Sequence, residues 1–154
     1  MTDLVVYYSR TNNTKLAAQT IHEEIGADLL EIKDKKNRSG PIGYLIGGFD
    51  AFREKTTEIE YEKVNLKDYD TVYIGTPVWA SKPTPAILQF LRENDLGGVK
   101  FVTFCTTGSS GDETTINYMN HLIVSGGGKV KKSFSVVVSG NDIKELTVAA
   151  LRDE

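Results

Sequence analysis

Leu4-Val5-Val6-Tyr7-Tyr8-Ser9-Arg10-Thr11-Asn12-Asn13-Thr14 changes character half-way along, and that change sets the fold class. Its first five residues are apolar, β-branched or aromatic, the composition of a strand buried on both faces. Six polar residues follow. The period then changes. Leu16, Ala17, Thr20, Ile21 and Ile25 recur at helical spacing, and Lys15, Gln19, Glu23 and Glu24 are left for solvent. Gly26 stands where a helix would end. A buried strand that delivers a polar loop into a helix is the opening of an α/β unit.

The alternation continues along the chain. Further strands are predicted at 27–32, 71–74, 100–105 and 130–138. A helix over 84–94 has Ile87, Leu88 and Leu91 on one face, with Pro83 and Pro85 marking its start. Another over 112–123 turns Ile116, Met119 and Ile123 inward and stops at Gly126, Gly127 and Gly128. A last helix starts near Asn141, a good N-cap residue, with Ile143, Leu146 and Ala150 facing in. Residues 33–62 are the least regular: a loop, a short helix near 44–53 and a polar return. Strands and helices of these lengths call for a three-layer α/β sandwich with about five parallel strands.

Composition narrows the function classes. The chain has 154 residues, and one domain over 1–154 is expected, long enough to bury a core without staples. Apolar residues are 40% and charged residues 25%, ordinary for a globular domain. The net charge is −3, and the only basic cluster of note, Lys33 to Arg38, reads as a solvated turn, so nucleic acid is not expected as a partner. No apolar run exceeds strand length, which argues against a membrane span. The N-terminus lacks the basic and apolar regions of a secretory signal, and the single cysteine, Cys105, cannot form an internal disulfide. A reducing cytoplasm is the expected compartment.

Open parallel sheets bind ligands beyond the carboxyl ends of their strands. Three unusual loops leave those ends here. Ser9-Arg10-Thr11-Asn12-Asn13-Thr14 offers three hydroxyls and unpaired amides at a helix N-terminus, a combination suited to a phosphate dianion. Thr11, Asn12 or Asn13 could equally cap the helix. Gly75-Thr76-Pro77-Val78-Trp79-Ala80-Ser81-Lys82-Pro83 puts the chain's only tryptophan on a loop stiffened by two prolines, where it could face a planar ring or close the core. Thr106-Thr107-Gly108-Ser109-Ser110-Gly111 has no bulky side chain, so a ligand could approach its backbone. Convergence of three such loops at one sheet edge points to a ligand site more strongly than any one of them.

Together these loops resemble those of flavodoxins, FMN-binding proteins of this size. The family's phosphate loop reads Ser or Thr, any residue, Thr, Gly, Asn, Thr, and residues 9–14 match with one departure, Asn12 in place of Gly. Asparagine tolerates the left-handed backbone that glycine would adopt there. Residues 75–79 resemble the family's ring-stacking loop and 106–111 its third loop, so the likeness spans the chain. The resemblance implies a strand order of 2-1-3-4-5 with FMN at the switch point between the first and third strands, an arrangement known for flavodoxin and not deduced from spacing.

It also implies FMN as cofactor, held by Ser9, Arg10, Thr11, Asn12, Asn13, Thr14, Thr76, Pro77, Val78, Trp79, Ala80, Thr106, Thr107, Gly108, Ser109 and Gly111. The implied function is transfer of low-potential electrons, one at a time, between redox partner proteins by way of the flavin semiquinone. The flavin carries the chemistry, so no catalytic acid, base or metal is required of the protein. Backbone groups over residues 78–81 are the candidates for tuning the ring, and Asp112 is the nearest carboxylate, with capping of its own helix as its other role.

The third loop has no Tyr or Trp, so Trp79 would stack alone unless Tyr44 or Tyr118 substitutes. An open ring face suits the alternative, an FMN-dependent NAD(P)H reductase of quinones or nitro compounds on the same fold. A flavin-free regulatory domain is a further rival. A monomer is expected. Receiver domains want acidic residues where Ser9 and Thr76 stand, small tyrosine phosphatases want a cysteine in the first loop, and neither nucleotide-binding glycine pattern occurs. Cys105 reads as inert packing, and His22 and His121 lack a second ligand at metal spacing.

Overall fold

The computed structural model describes residues 2–36, 40–52 and 57–153. Five strands form one parallel sheet: β1 (Leu4–Tyr7), β2 (Asp28–Glu31), β5 (Val72–Pro77), β6 (Lys100–Thr107) and β7 (Lys129–Val137). Their spatial order is β2-β1-β5-β6-β7, the expected 2-1-3-4-5 when only the main strands are counted. Two further strands were not legible in the sequence. β3 (Lys33–Asp34) and β4 (Ile59–Glu60) pair antiparallel in a small ribbon of their own. Two-residue strands carry no periodicity to read.

Strand alternation divides the core in two. Leu4, Val6 and Tyr8 face one cluster with Ile74, Phe101 and side chains of α3 (Pro85–Glu93) and α4 (Asp112–Ser125). Val5 and Tyr7 face the other, with Phe104, Val136 and side chains of α1 (Asn13–Ile25) and α5 (Ile143–Arg152). Every residue of β1 is buried, as the apolar run required. In β5, Gly75 makes room for a neighbour: a Cβ there would lie 2.2 Å from Phe104 Cζ. Phe104 in turn stacks on Phe134 with ring centroids 5.3 Å apart and planes within 8°.

Three helix expectations are corrected. In α1 the inward face is Thr14, Ala17, Ala18 and Ile21, while Leu16 and Ile25 are 42% and 40% exposed. The small residues bring the helix close to the sheet and leave the larger Leu16 on its flank. α5 is capped by Asp142, whose Oδ1 accepts from Glu145 N at 3.1 Å, whereas Asn141 donates backwards to Val137 O at 3.0 Å. The residue before α4 is Gly111 in a left-handed conformation, so Asp112 opens that helix without being its cap. The helix expected near 44–53 exists as α2 (Gly40–Phe52) and starts earlier, at Gly40-Pro41, as proline in a first turn allows. Residues 53–56, including the end expected for it, lie outside the described residues.

At the opposite end of α4 the glycine stop works as expected: Gly126 N donates to Leu122 O and Gly128 N to Ile123 O. The Lys132 ammonium donates to Ala150 O and Asp153 O, satisfying carbonyls at the end of α5. Among the described residues no helix is long and apolar enough to cross a membrane.

Candidate functional site

Parallel strands deliver all their carboxyl ends to one edge, and a cavity of about 220 Å³ lies there. Ser9, Arg10, Thr11, Asn13 and Thr14 line it from the loop after β1. Pro77, Val78 and Trp79 line it from the loop after β5, and Thr106, Thr107 and Gly108 from the end of β6. Val138, just past β7, completes the wall. The sequence reading missed Val138, although the same edge rule applied to the last strand would have reached it.

The first loop ends at Asn12, which adopts φ 73° and ψ −8°, the conformation its residue type was expected to tolerate. Its side chain makes no capping bond, so the capping explanation does not account for it. Regular helical bonding starts where Leu16 N donates to Asn12 O at 2.8 Å, and the preceding amides point out of the helix end. Ser9 Oγ is buried and has no hydrogen-bond partner among the described residues. A buried hydroxyl left unmatched beside a positive helix end fits an anionic acceptor.

Hydrogen bonds fix the loops to one another. Thr14 Oγ1 and Thr106 Oγ1 are 2.7 Å apart, joining the first loop to the third. Val78 N donates to Thr106 O at 3.0 Å, and Val138 N to Thr107 O at 2.8 Å. Thr107 Oγ1 donates to Ser110 O at 2.6 Å and closes the third loop on itself.

In the second loop, Trp79 and Lys82 exchange both backbone bonds, Trp79 N to Lys82 O at 3.0 Å and Lys82 N to Trp79 O at 2.9 Å. The two residues between them, Ala80 and Ser81, have φ of 51° and 60°. This is the two-residue turn that Asn-Gly would favour, built here from residues that pay for it in strain. Ala80 and Ser81 thus form a tight turn held in an unfavoured backbone.

Trp79 closes the core, and it also lines the cavity. Its ring is 8% exposed and meets Tyr8 edge-on at 5.6 Å and 89°. Five of the expected residues do not line the cavity. Asn12 bends the first loop, and Ala80 forms the strained turn. Thr76 is sealed behind its strand, its Oγ1 accepting from Thr84 N at 3.1 Å and so tying β5 to the start of α3. Ser109 is exposed at the tip of the third loop. Gly111 has φ 87° and packs against the second loop, where a Cβ would lie 3.0 Å from both Ser81 Oγ and Val78 Cγ1.

Of the possible stacking substitutes, Tyr118 instead underlies the Lys82 ammonium, 4.7 Å from its ring centroid. The Tyr44 side chain is outside the described residues.

Cys105, one residue before Thr106, is buried. Burial pushes its thiol from 9.0 to about 12, against the lowering effect of a Ser135 bond and with the help of the Asp112 carboxylate. The Tyr7 hydroxyl is likewise raised to about 12 by burial and by Glu31. Neither group lines the cavity. Among the described residues no cluster of His, Cys, Asp or Glu could hold a metal ion.

The family model described as Flavodoxin matches residues 51–145, more than half of the chain. The chain belongs to the flavodoxin family. That match covers the second and third loops of this flavodoxin, so the first loop stands on its geometry. A protein from Bacteroides uniformis superposes with a TM-score of 0.80 at 23% identity, covering 99% of this chain and 98% of its own. A Lactobacillus acidophilus flavoprotein solved in complex with FMN gives 0.76 at 23%, over 87% of this chain and 92% of that one. The flavodoxin of Megasphaera elsdenii gives 0.60 at 20%, over 98% and 99%. At such identities the likeness concerns the fold. No curated protein sequence matches this flavodoxin.

Proposed function

We propose that this flavodoxin binds FMN at the carboxyl edge of its sheet and carries electrons one at a time between redox partner proteins, as a monomer in the cytoplasm. The observation that carries this reading is Ser9 Oγ, buried in the loop that opens onto α1 and without a hydrogen-bond partner among the described residues. Its hydroxyl and the outward amides before Leu16 suit a phosphate monoester, and the absence of an acidic side chain from residues 9–14 leaves that dianion unopposed. FMN, when bound, supplies the one-electron redox chemistry.

The chain's own residues then bind, orient and exclude water. Ser9, Thr11 and the α1 amides would hold the phosphate. Val78, Trp79 and Val138 give the cavity an apolar wall, which strengthens every electrostatic contact inside it. The backbone of Thr106 to Gly108 comes close because no bulky side chain keeps a ligand away.

The test is titration of the purified protein with FMN, followed by stepwise anaerobic reduction. Tight binding with quenched flavin fluorescence and two separate one-electron steps is the expected result. Rapid oxidation of NAD(P)H by the FMN-loaded protein with a quinone as acceptor would replace the carrier with a reductase. No binding would leave the fold and remove the function.

A further inference from the structure

The face that α2 turns to the body of the protein is made partly of glycine. Gly43 and Gly47, one turn apart, are buried, whereas Ile42, Leu45 and Phe49 are 73%, 69% and 55% exposed. At Gly47 the approach is close: a Cβ there would lie 2.7 Å from Trp79 Cζ3, 3.0 Å from Cε3 and 3.2 Å from Cη2. All three atoms belong to the six-membered ring of the indole. At Gly48 a Cβ would meet nothing within 4 Å. Glycine is unfavourable inside a helix, so helix propensity gives no reason for it at position 47, and the indole does.

The ring is poorly placed to yield. It is 8% exposed, the Tyr8 ring abuts it, and its backbone is held by the paired bonds to Lys82. A methyl group at position 47 must therefore turn the indole or lift α2.

We propose that Gly47 is a positioning residue: by lacking a side chain it lets α2 rest on the indole of Trp79 and so fixes, from outside the cavity, the aromatic part of the cavity wall. The consequence for FMN rests on the function proposed above, while the consequence for the indole does not. Gly48, on the same helix and open to space, is the internal control, because Gly→Ala gives both positions the same gain in helix propensity.

The chain has one tryptophan, so indole emission reports Trp79 alone. The experiment compares Gly47→Ala and Gly48→Ala with the parent, first without FMN by emission spectrum and thermal melting, then by FMN titration. Gly48→Ala is expected to keep the parental emission, with an FMN Kd within about twofold of the parent. Gly47→Ala is expected to shift the emission to longer wavelength and to raise the Kd about tenfold.

Parental emission and parental Kd in Gly47→Ala would overturn the proposal. Should the parent itself fail to bind FMN, the functional reading falls, and the emission spectra still decide the role of Gly47. If Gly47→Ala folds poorly, it is placed on a Trp79→Phe background, where the smaller ring leaves room for the new methyl group. There the added Gly47→Ala is expected to leave folding and FMN Kd as in Trp79→Phe alone. A loss as large as in the Trp79 parent would place the cause elsewhere on α2 and overturn the proposal.

Discussion

Ser9 and the Ala80-Ser81 pair each carry an unfavourable local state. Among the described residues the buried Ser9 Oγ has no hydrogen-bond partner, and leaving a buried hydroxyl unmatched costs on the order of 1–3 kcal/mol. Ser9→Ala should therefore raise ligand-free stability by about 1 kcal/mol in urea unfolding while weakening FMN binding about tenfold. A variant that gained stability and kept full affinity would remove Ser9 from the phosphate site. At Ala80, φ 51° places a side chain in the left-handed region at about 1–2 kcal/mol, against roughly 0.5–1 kcal/mol for the entropy of a glycine. Ala80→Gly is accordingly expected to stabilise the protein by about 0.5–1 kcal/mol, seen as a higher urea midpoint with an unchanged slope. A lower midpoint would mean that the turn is not strained.

Among the elements, β5 leaves little latitude at Gly75. Gly75 lies beneath the Phe104 ring, and Phe104 cannot retreat because it stacks on Phe134. Gly75→Ala should cost about 1–3 kcal/mol or more by overpacking, since both rings and the strand register would have to shift. Differential scanning calorimetry would register this as a lower Tm, and an unchanged Tm would show that the sheet can part there. α1 makes the opposite point. Its inward face is small, its flank holds Leu16, and its end at Asn12 is shaped by backbone conformation and not by a capping side chain.

For the whole molecule, the buried thiol and phenol set an alkaline limit. Cys105 is raised from 9.0 to about 12 and Tyr7 from 10.0 to about 12, both mainly by burial. Each holds its proton more tightly folded than unfolded, so the stability it contributes is complete below the unfolded pKa. It is lost as pH rises from about 9 through about 12. Urea unfolding at pH 8 and pH 11 should show that fall, and Cys105→Ala should show less of it, by about 2 kcal/mol, whatever its stability at pH 8. Equal falls in the two proteins would mean that Cys105 ionises without hindrance in the folded state.

The layered α/β class, the alternation of main strands and helices along the chain and the three polar loops were legible because each depends on local pattern, whereas the spatial order of the strands followed from the flavodoxin resemblance. Buried strands lack polar residues, helices show a 3.6-residue period, and parallel strands must bring their carboxyl ends to one edge. The β3–β4 ribbon was not legible, because two residues hold no period. Nor could residue type decide between Asn141 and Asp142 as a cap, since both are good caps and the preceding turn claims one of them. What the tertiary structure alone decided is which side chains the loops turn inward. Thr76 was drawn back to tie β5 to α3, Gly111 was set against Ser81, Val138 entered the wall, and Trp79 was seated under Gly47. Those choices follow from contacts between residues far apart in sequence, and no local pattern encodes them.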